Sequence, residues 1–390
     1  MLVAVVGGNL QGVEAAYLAK KAGWEVTVID RNAVVPAAGM SDRFRRVNIK
    51  TAADLEHALK GVDLVIPALE NDAALACLER WSQNSEIPFA FDALAYSISS
   101  SKLKSDQLFA RMDVPTPLPW PECDFPILAK PSMGSGSQKV SVFHNSENLH
   151  AHQNESVEEW VLQEFVPGPS YSIEVIGRPG YYLPLQITDL QMDANYDCKR
   201  VLAPTDLTPS LILEFEKISR LIAEQMRLQG LMDVEVILHD STLKVLEVDA
   251  RLPSQTPTAV FWSTGINILE MLADLFLTGE NLNRGDLNSP LGVVYEHIKV
   301  TANGLEVAGE HLMSATDALH IQENFFGADE AITNYTPRRQ EWVATLIISE
   351  KTRETAWEKR CRVISDIRQY FNIDGYQDLN PKPDLKETRR

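Results

Sequence analysis

The sequence predicts a mixed protein: a doubly wound, Rossmann-like α/β unit over the first hundred residues, then an α+β body of antiparallel hairpins and long helices. Three observations carry this. Short apolar runs alternate with amphipathic stretches as far as residue 100, which is how parallel strands joined by crossover helices read. From about Ser101 that alternation gives way to strand–turn–strand patterns broken by Pro and Gly. In Lys244-Val245-Leu246-Glu247-Val248-Asp249-Ala250-Arg251 apolar and charged residues alternate with period two, as in a strand with one buried face.

Leu2–Val6 is the first strand, and Gly7-Gly8-Asn9-Leu10-Gln11-Gly12 turns it into a helix through Leu10–Ala22. Val26–Asp30, Leu64–Pro67 and Phe89–Asp92 read as further strands, with helices near Ala52–Leu59 and through Ala73–Trp81. A glycine turn after the first strand, with Asp30 ending the second, is one way to hold a dinucleotide. The spacing here is GGxxxG, however, and the same glycines serve close strand–helix packing. Asp72 is placed to cap the helix at Ala73. Glu70, at the carboxyl edge of the sheet, is then the acid that can meet a substrate amine.

Lys102–Met112 is helical, and the prolines between Val114 and Pro121 make a rigid connector to the strand Pro126–Lys130. Pro131-Ser132-Met133-Gly134-Ser135-Gly136-Ser137 and the strand Lys139–Phe143 complete a flap whose backbone N–H groups can close on phosphate oxygens. A plain hairpin loop has the same composition; Lys130, a charge ending an apolar strand at its mouth, favours an anionic partner. Trp160–Gly168 ends in a Pro-Gly turn that leaves backbone groups for an adenine edge or is an ordinary edge strand. Strands Tyr171–Ile176 and Tyr181–Ile187 and a helix Leu211–Leu228 follow.

Met232–Leu238 then pairs with Lys244–Arg251 through a turn at His239-Asp240-Ser241-Thr242. Alternation points Glu247, Asp249 and Arg251 one way and sends Leu246, Val248 and Ala250 into the core; across the hairpin Glu235 meets Glu247, with Asp233 pointing alongside Glu235. Three acids in one cleft repel unless a cation lies between them, and Mg²⁺ takes one or two carboxylates together with phosphate oxygens. A solvated sheet face with Arg251 pairing the acids accounts for the residues equally well. A helix Ile266–Leu277, strands Val293–Val300 and Trp342–Ser349 and a helix Thr355–Phe371 finish the chain. The expected division is 1–100, 101–280, a C-terminal lobe 281–379 and a tail 380–390.

With 390 residues, 45% of them hydrophobic, the chain can build two or three domains. A formal charge of −18 argues against a nucleic-acid partner, which needs a cationic footprint. Four dispersed cysteines without a CxxC pair argue against a disulfide framework or zinc module. No apolar run reaches membrane-spanning length and the first strand lacks a basic leader, so a cytoplasmic location without a membrane partner is expected.

The order of a small α/β domain, a lysine-bearing helix, strand-Lys130 with a Ser/Gly flap, Gln163-Glu164-Phe165 and a hairpin ending Glu247-Val248-Asp249-Ala250-Arg251 resembles the ATP-grasp ligase superfamily over roughly residues 1–280. Gly7 to Gly12 with Glu14-Ala15-Ala16-Tyr17-Leu18, and above all Asp249-Ala250-Arg251-Leu252-Pro253-Ser254-Gln255-Thr256-Pro257-Thr258, are similar to the pyrrolysine-biosynthesis ligases of the PylC family. The resemblance implies an ATP-grasp fold behind a Rossmann-like pre-ATP-grasp domain. It implies ATP-dependent joining of (3R)-3-methyl-D-ornithine, or D-ornithine, to the ε-amine of L-lysine through an acyl phosphate, and leaves a homodimer open. By the same resemblance Lys130 and Lys102, with Lys104 as the fallback, hold phosphates and Ser132, Gly134, Ser135, Gly136 and Ser137 form the flap. Glu164 and Val166 meet adenine through their backbone beside the Gln163 side chain, and Glu235, Glu247 and Asp249 bind two Mg²⁺ ions. Arg251 stabilises the transferring groups, and Glu70, Asp233, Ser254, Gln255 and Thr256 contact substrate. An ATP-grasp ligase of another amino-acid specificity, or a carboxylase, would keep Lys130 and Glu247 without needing Ser254-Gln255-Thr256. An NAD-linked oxidoreductase would rest on Gly7–Gly12 and Asp30 and leave the acidic strand unused.

Overall fold

The structure, a computed structural model, describes residues 1–49, 52–133, 140–155, 159–279 and 289–381. Its N-terminal unit runs β1 (Leu2–Val6), α1 (Leu10–Lys21), β2 (Glu25–Asp30), β3 (Arg43–Arg46), α2 (Ala52–Ala58), β4 (Leu64–Pro67), α3 (Asp72–Ser82) and α4 (Ala93–Ser99). The four strands form a parallel sheet in the order β3-β2-β1-β4. Central β1 is covered on both faces, so Val3, Ala4, Val5 and Val6 are all fully buried. The sequence pattern misses β3 because Arg-Phe-Arg-Arg has no apolar run; as an edge strand it can carry charge.

Two local expectations are corrected. Phe89–Asp92 is not a strand; Phe89 makes only an isolated bridge to Val65. The Asp92 side chain instead accepts the Leu94 and Ala95 N–H groups as the N-cap of α4, which turns the chain out of the sheet. The cap of α3 is Asn71, accepting from Ala74 N–H, and Asp72 is the first helical residue.

Next come α5 (Lys102–Met112), β5 (Ile127–Pro131), β6 (Ser141–Phe143), α6 (Ser146–Glu155) and β7 (Trp160–Glu164), the strands forming a small antiparallel sheet β6-β5-β7. The expected flap residues Gly134, Ser135, Gly136 and Ser137 lie outside the described residues. The body continues with β8 (Ser170–Arg178), β9 (Tyr181–Met192), β10 (Cys198–Ala203), α7 (Pro209–Met226), β11 (Gly230–His239), β12 (Thr242–Asp249), α8 (Thr256–Thr264) and α9 (Ile268–Leu277). It ends with β13 (Gly292–Thr301), β14 (Gly304–Val307), α10 (His311–Ser314), β15 (His320–Glu323), β16 (Glu330–Thr333), β17 (Trp342–Glu350), α11 (Arg353–Phe371) and β18 (Gly375–Asp378).

Eleven of these strands make one sheet, with the path β12-β11-β8-β9-β10-β13-β17-β16-β15, β14 attached to β13 and β18 to β14. The acidic hairpin and the C-terminal lobe therefore share a sheet across the expected boundary at 280. Strand β10 goes unseen in the sequence because Lys199 and Arg200 look like surface residues. Both are buried, and both pair with Asp378. No single helix among the described residues is long and apolar enough to cross a membrane.

Candidate active site

Three adjacent antiparallel strands of the large sheet align their polar residues in two rows. Asp233 stands opposite Asp249 on one side and Glu174 on the other; Glu235 stands opposite Glu247 and Ser172. Asp240 and Ser241 form the two-residue turn with φ of 45° and 63°, the left-handed conformation that lets a tight hairpin follow strand twist. Beyond Glu235–Glu247 the register slips so that Val236 meets Val245, leaving Leu246 as a bulge. The expectation that Leu246 faces the core is thereby corrected: Val245, Val248 and Ala250 are buried there, while Leu246 is half-buried. The bulge turns the Leu246 carbonyl to accept Lys130 Nζ at 3.0 Å.

Two lysines converge on Glu247. Lys102 Nζ, from the first turn of α5, lies 2.7 Å from Glu247 Oε1, and the helix is tied to the end of β5 by Lys102 N–H donating to Ser132 O at 2.9 Å. Burial alone would raise the Glu247 carboxyl, but the Lys102 and Lys130 ammoniums hold it below the usual range. Burial draws Lys130 down despite that carboxylate. Lys104 is exposed and donates to Ser97 O, so the fallback phosphate ligand is set aside. Ser132, expected in the phosphate flap, is buried, and its hydroxyl shares a 3.3 Å hydrogen bond with that of Ser101.

The other acids are under-compensated. Burial, then repulsion from Glu247 and Asp249, pushes Glu235 up to about 8; burial with the Asp249 charge raises Asp233; burial takes Glu174 to about 7. Asp249 rises to about 6 through burial, moderated by Arg251. Arg251 lies just past the end of β12, its Nη2 2.9 Å from Asp249 Oδ2 and its Nε 2.7 Å from Glu70 Oε1, where Gln11 Nε2 also donates. Among the described residues no three of His, Cys, Asp and Glu are gathered as a metal-ligating group. Instead of the expected three-acid cluster, Glu247 is paired with Lys102 and Asp249 with Arg251. Glu235 and Asp249, raised first by burial and further by neighbouring carboxylates, together with Glu247, held ionised by the lysines, nevertheless fit a hard divalent cation.

Two cavities meet at this point. The outer one, about 410 Å³, lies between the Gly7–Gln11 turn, Glu70 and Asn71 on one side and Glu310, His311 and Ser314 on the other. The inner one, about 110 Å³, is walled by Ser172, Asp233, Glu235, Glu247, Gln255 and Thr256. Arg251, Ser254 and Glu310 belong to both, and Ser254 Oγ donates to Glu310 Oε2 at 2.6 Å. In or beside the inner cavity Ser172 Oγ, Asp233 Oδ1 and Gln255 Oε1 are buried without a hydrogen-bond partner, and the buried Glu174 carboxylate and Thr256 hydroxyl face one another. Buried acceptors in that number call for a ligand rich in donors.

The remaining expected residues fall as follows. Gln163 and Val166 are buried on and beside β7, and Glu164 N–H donates to Leu118 O at 2.8 Å while its carboxylate meets Lys244 Nζ at 2.6 Å. A backbone contact from the Glu164 N–H to adenine is thus ruled out in this arrangement. Asp30 accepts Gly8 N–H at 2.9 Å and Asn32 N–H at 2.8 Å, bracing the glycine turn, where Gly7 has φ of 110° and a Cβ would stand 2.1 Å from Ala68 O. Sequence reasoning missed Glu174, Ser172, Glu310 and Glu14. The alternation Ser170-Tyr171-Ser172-Ile173-Glu174 could have flagged the first two; nothing local ties Glu310 to Ser254.

Residues 99–255 match the family of ATP-grasp domains. The chain is similar to the ADP complex of an N5-carboxyaminoimidazole ribonucleotide synthetase (TM-score 0.69, 15% identity, 94% of this chain and 97% of that one). It is similar also to the biotin carboxylase domain of Hydrogenobacter thermophilus 2-oxoglutarate carboxylase with MgADP and bicarbonate (TM-score 0.70, 17% identity, 93% and 89%). These likenesses show an ATP-grasp fold. Among curated proteins it is 33% identical to the 3-methyl-D-ornithine–L-lysine ligase of Methanosarcina barkeri over 95% of this chain and 98% of that one. With the ligase of Methanosarcina mazei it shares 34% identity over 95% and 96%. At that identity over nearly the whole length of both chains, this chain belongs to the family of 3-methyl-D-ornithine–L-lysine ligases, ATP-dependent amide-forming enzymes of the ATP-grasp fold.

Proposed function

We propose that the inner cavity holds 3-methyl-D-ornithine or D-ornithine and the outer one L-lysine, and that the two are joined at Arg251. The observation that carries this is the shared wall Arg251–Ser254–Glu310 between a small acceptor-rich chamber and a larger cleft lined by Glu70. Two chambers meeting at one guanidinium suit a reaction with two amino-acid substrates. The buried oxygens of Asp233, Gln255 and the Glu174–Thr256 pair suit the ammonium groups of the donor.

The donor carboxylate oxygen attacks the γ-phosphorus of ATP and ADP leaves. The lysine ε-nitrogen then attacks the acyl carbon, and inorganic phosphate and one proton depart. Lys102 and Lys130, both beside Glu247, neutralise phosphate charge, and Arg251 does so at the acyl phosphate. Glu235, Glu247 and Asp249 would hold Mg²⁺, which when bound supplies further charge neutralisation on the phosphoryl oxygens. Adenine would lie along β7 near Gln163 and Val166, with any contact of Glu164 made through its carbonyl. Glu70 and Glu310 line the lysine cleft, and Glu310, raised by burial, is placed at the junction to take the proton of the attacking amine.

The test is ADP release from Mg·ATP with D-ornithine and L-lysine, together and separately, with mass spectrometry of the product. Turnover that requires both, giving a mass equal to their sum less water, supports the reading. Equal turnover without L-lysine would remove the outer cleft from it.

A further inference from the structure

We propose that Glu14, on the first helix and remote in sequence from every substrate contact, is a positioning residue for donor recognition: its buried carboxylate holds the turn at Gln255 so that the Gln255 and Thr256 side chains face the inner cavity. The inference rests on the donor assignment above and adds how that cavity is kept in shape.

Gln255 has φ of 74° and ψ of −61°, and Thr256 N–H donates to Ser254 O at 2.9 Å across it. This is the positive-φ form of the three-residue γ-turn, which is rare and strained for any residue with a Cβ. Such a conformation persists only where its surroundings enforce it. Here the enforcing group is Glu14, 1% exposed, whose Oε2 accepts Gln255 N–H at 3.2 Å and whose Oε1 accepts Thr258 N–H at 2.6 Å. Helix α8 has no side-chain cap of its own, so a carboxylate from another domain performs that service at its N-terminus.

A mere cap would not need a strained turn in front of it. The turn joins Arg251 to α8, and it places Gln255 and Thr256 beside Asp233 and Ser172 in the inner cavity, Gln255 Oε1 buried without a partner and Thr256 against the Glu174 carboxylate. Relaxing Gln255 to ordinary backbone angles would swing both groups away. The same helix reaches the outer cleft one turn earlier, where Gln11 holds the Glu70 that pairs with Arg251. Helix α1 thus braces one wall of each chamber. An ionised carboxylate offers an acceptor oxygen to each N–H, and those two bonds oppose the burial that pushes Glu14 up to about 7; an amide would turn its NH₂ towards one of them.

The experiment measures steady-state constants for D-ornithine, L-lysine and ATP on the full chain, with Tm, for Glu14→Gln, Gln255→Gly, the double variant and Glu174→Gln. Glu14→Gln should lower kcat/KM for D-ornithine about ten- to hundredfold, with KM for L-lysine and ATP within about twofold. Glycine adopts the Gln255 angles freely, so Gln255→Gly should fold normally yet lose donor affinity even if Glu14→Gln does not fold. In the double variant Glu14→Gln should add little, because the strain it restrains has gone. Losses spread equally over all three substrates in step with Tm, or losses that add in full in the double variant, would make Glu14 a structural cap only. Undiminished donor affinity in Glu174→Gln would instead sink the donor-chamber assignment, whereas loss there beside none in Glu14→Gln would sink the positioning role alone.

Discussion

Arg251 divides its guanidinium between carboxylates of two domains, Nε to Glu70 and Nη2 to Asp249, with Nη1 towards Leu252 O at 3.4 Å. A lysine keeps the charge but cannot reach both acids from one nitrogen at these positions. Arg251→Lys is therefore expected to lower kcat about a hundredfold with nucleotide affinity within about threefold, read by single-turnover kinetics and ATP titration. Equal losses in both would indicate a binding role. The lysines of α5 make a matched control. Lys102→Ala deprives Glu247 of its partner and should cut kcat/KM for ATP by about two orders of magnitude, whereas Lys104→Ala should change it by less than about twofold. At this scale the sequence showed which side chains were candidates, through the period-two placement of Glu247, Asp249 and Arg251. Apart from the family resemblance, which favours Lys102, the pattern of α5 does not separate Lys102 from Lys104, because which lysine of a helix faces the sheet is set by how α5 docks on β12.

A single extra residue shapes the catalytic hairpin. Because Leu246 bulges, its carbonyl meets Lys130 while Glu247 stays opposite Glu235. Strict alternation predicts the acids correctly and Leu246 wrongly, and a bulge has no signature in Lys-Val-Leu-Glu-Val-Asp. Strand β13 offers a measurable case of its own. His297 is buried with Nδ1 against Thr345 Oγ1, and burial lowers its pKa to about 4. The folded chain then refuses a proton that the unfolded chain takes up below about 6.5, so this residue's contribution is intact above that pH and is lost as pH falls towards 4. The cumulative loss is on the order of 3 kcal/mol. Thermal unfolding of His297→Asn should show a shallower acid slope than the unaltered chain between those pH values; identical slopes would place the acid sensitivity elsewhere.

Across the whole molecule the eleven-stranded sheet lets the C-terminal lobe supply Glu310, His311 and Ser314 to a site otherwise built from residues before 260. That lobe is locked by a buried network: Glu296 receives both Arg200 and Arg360, and Asp378 on β18 receives the same arginines and Lys199. Glu296→Gln removes the charge facing two buried guanidiniums and should destabilise the chain by about 3–5 kcal/mol in urea unfolding, with donor and lysine KM unchanged below the transition. A loss under about 1 kcal/mol would mean that Asp378 alone suffices. The sequence by itself determined the doubly wound first domain, the acidic hairpin, the lysines and the run from Asp249 to Thr258, because apolar period and short-range spacing are local properties. Only the tertiary structure decided that Ser172 and Glu174 stand in rank with the hairpin acids, that Glu310 closes the wall beside Ser254, and that Glu14 grips Gln255. Those partners lie tens to hundreds of residues apart, and what pairs them is strand register and the need of buried charges and N–H groups for one another, which no local pattern encodes.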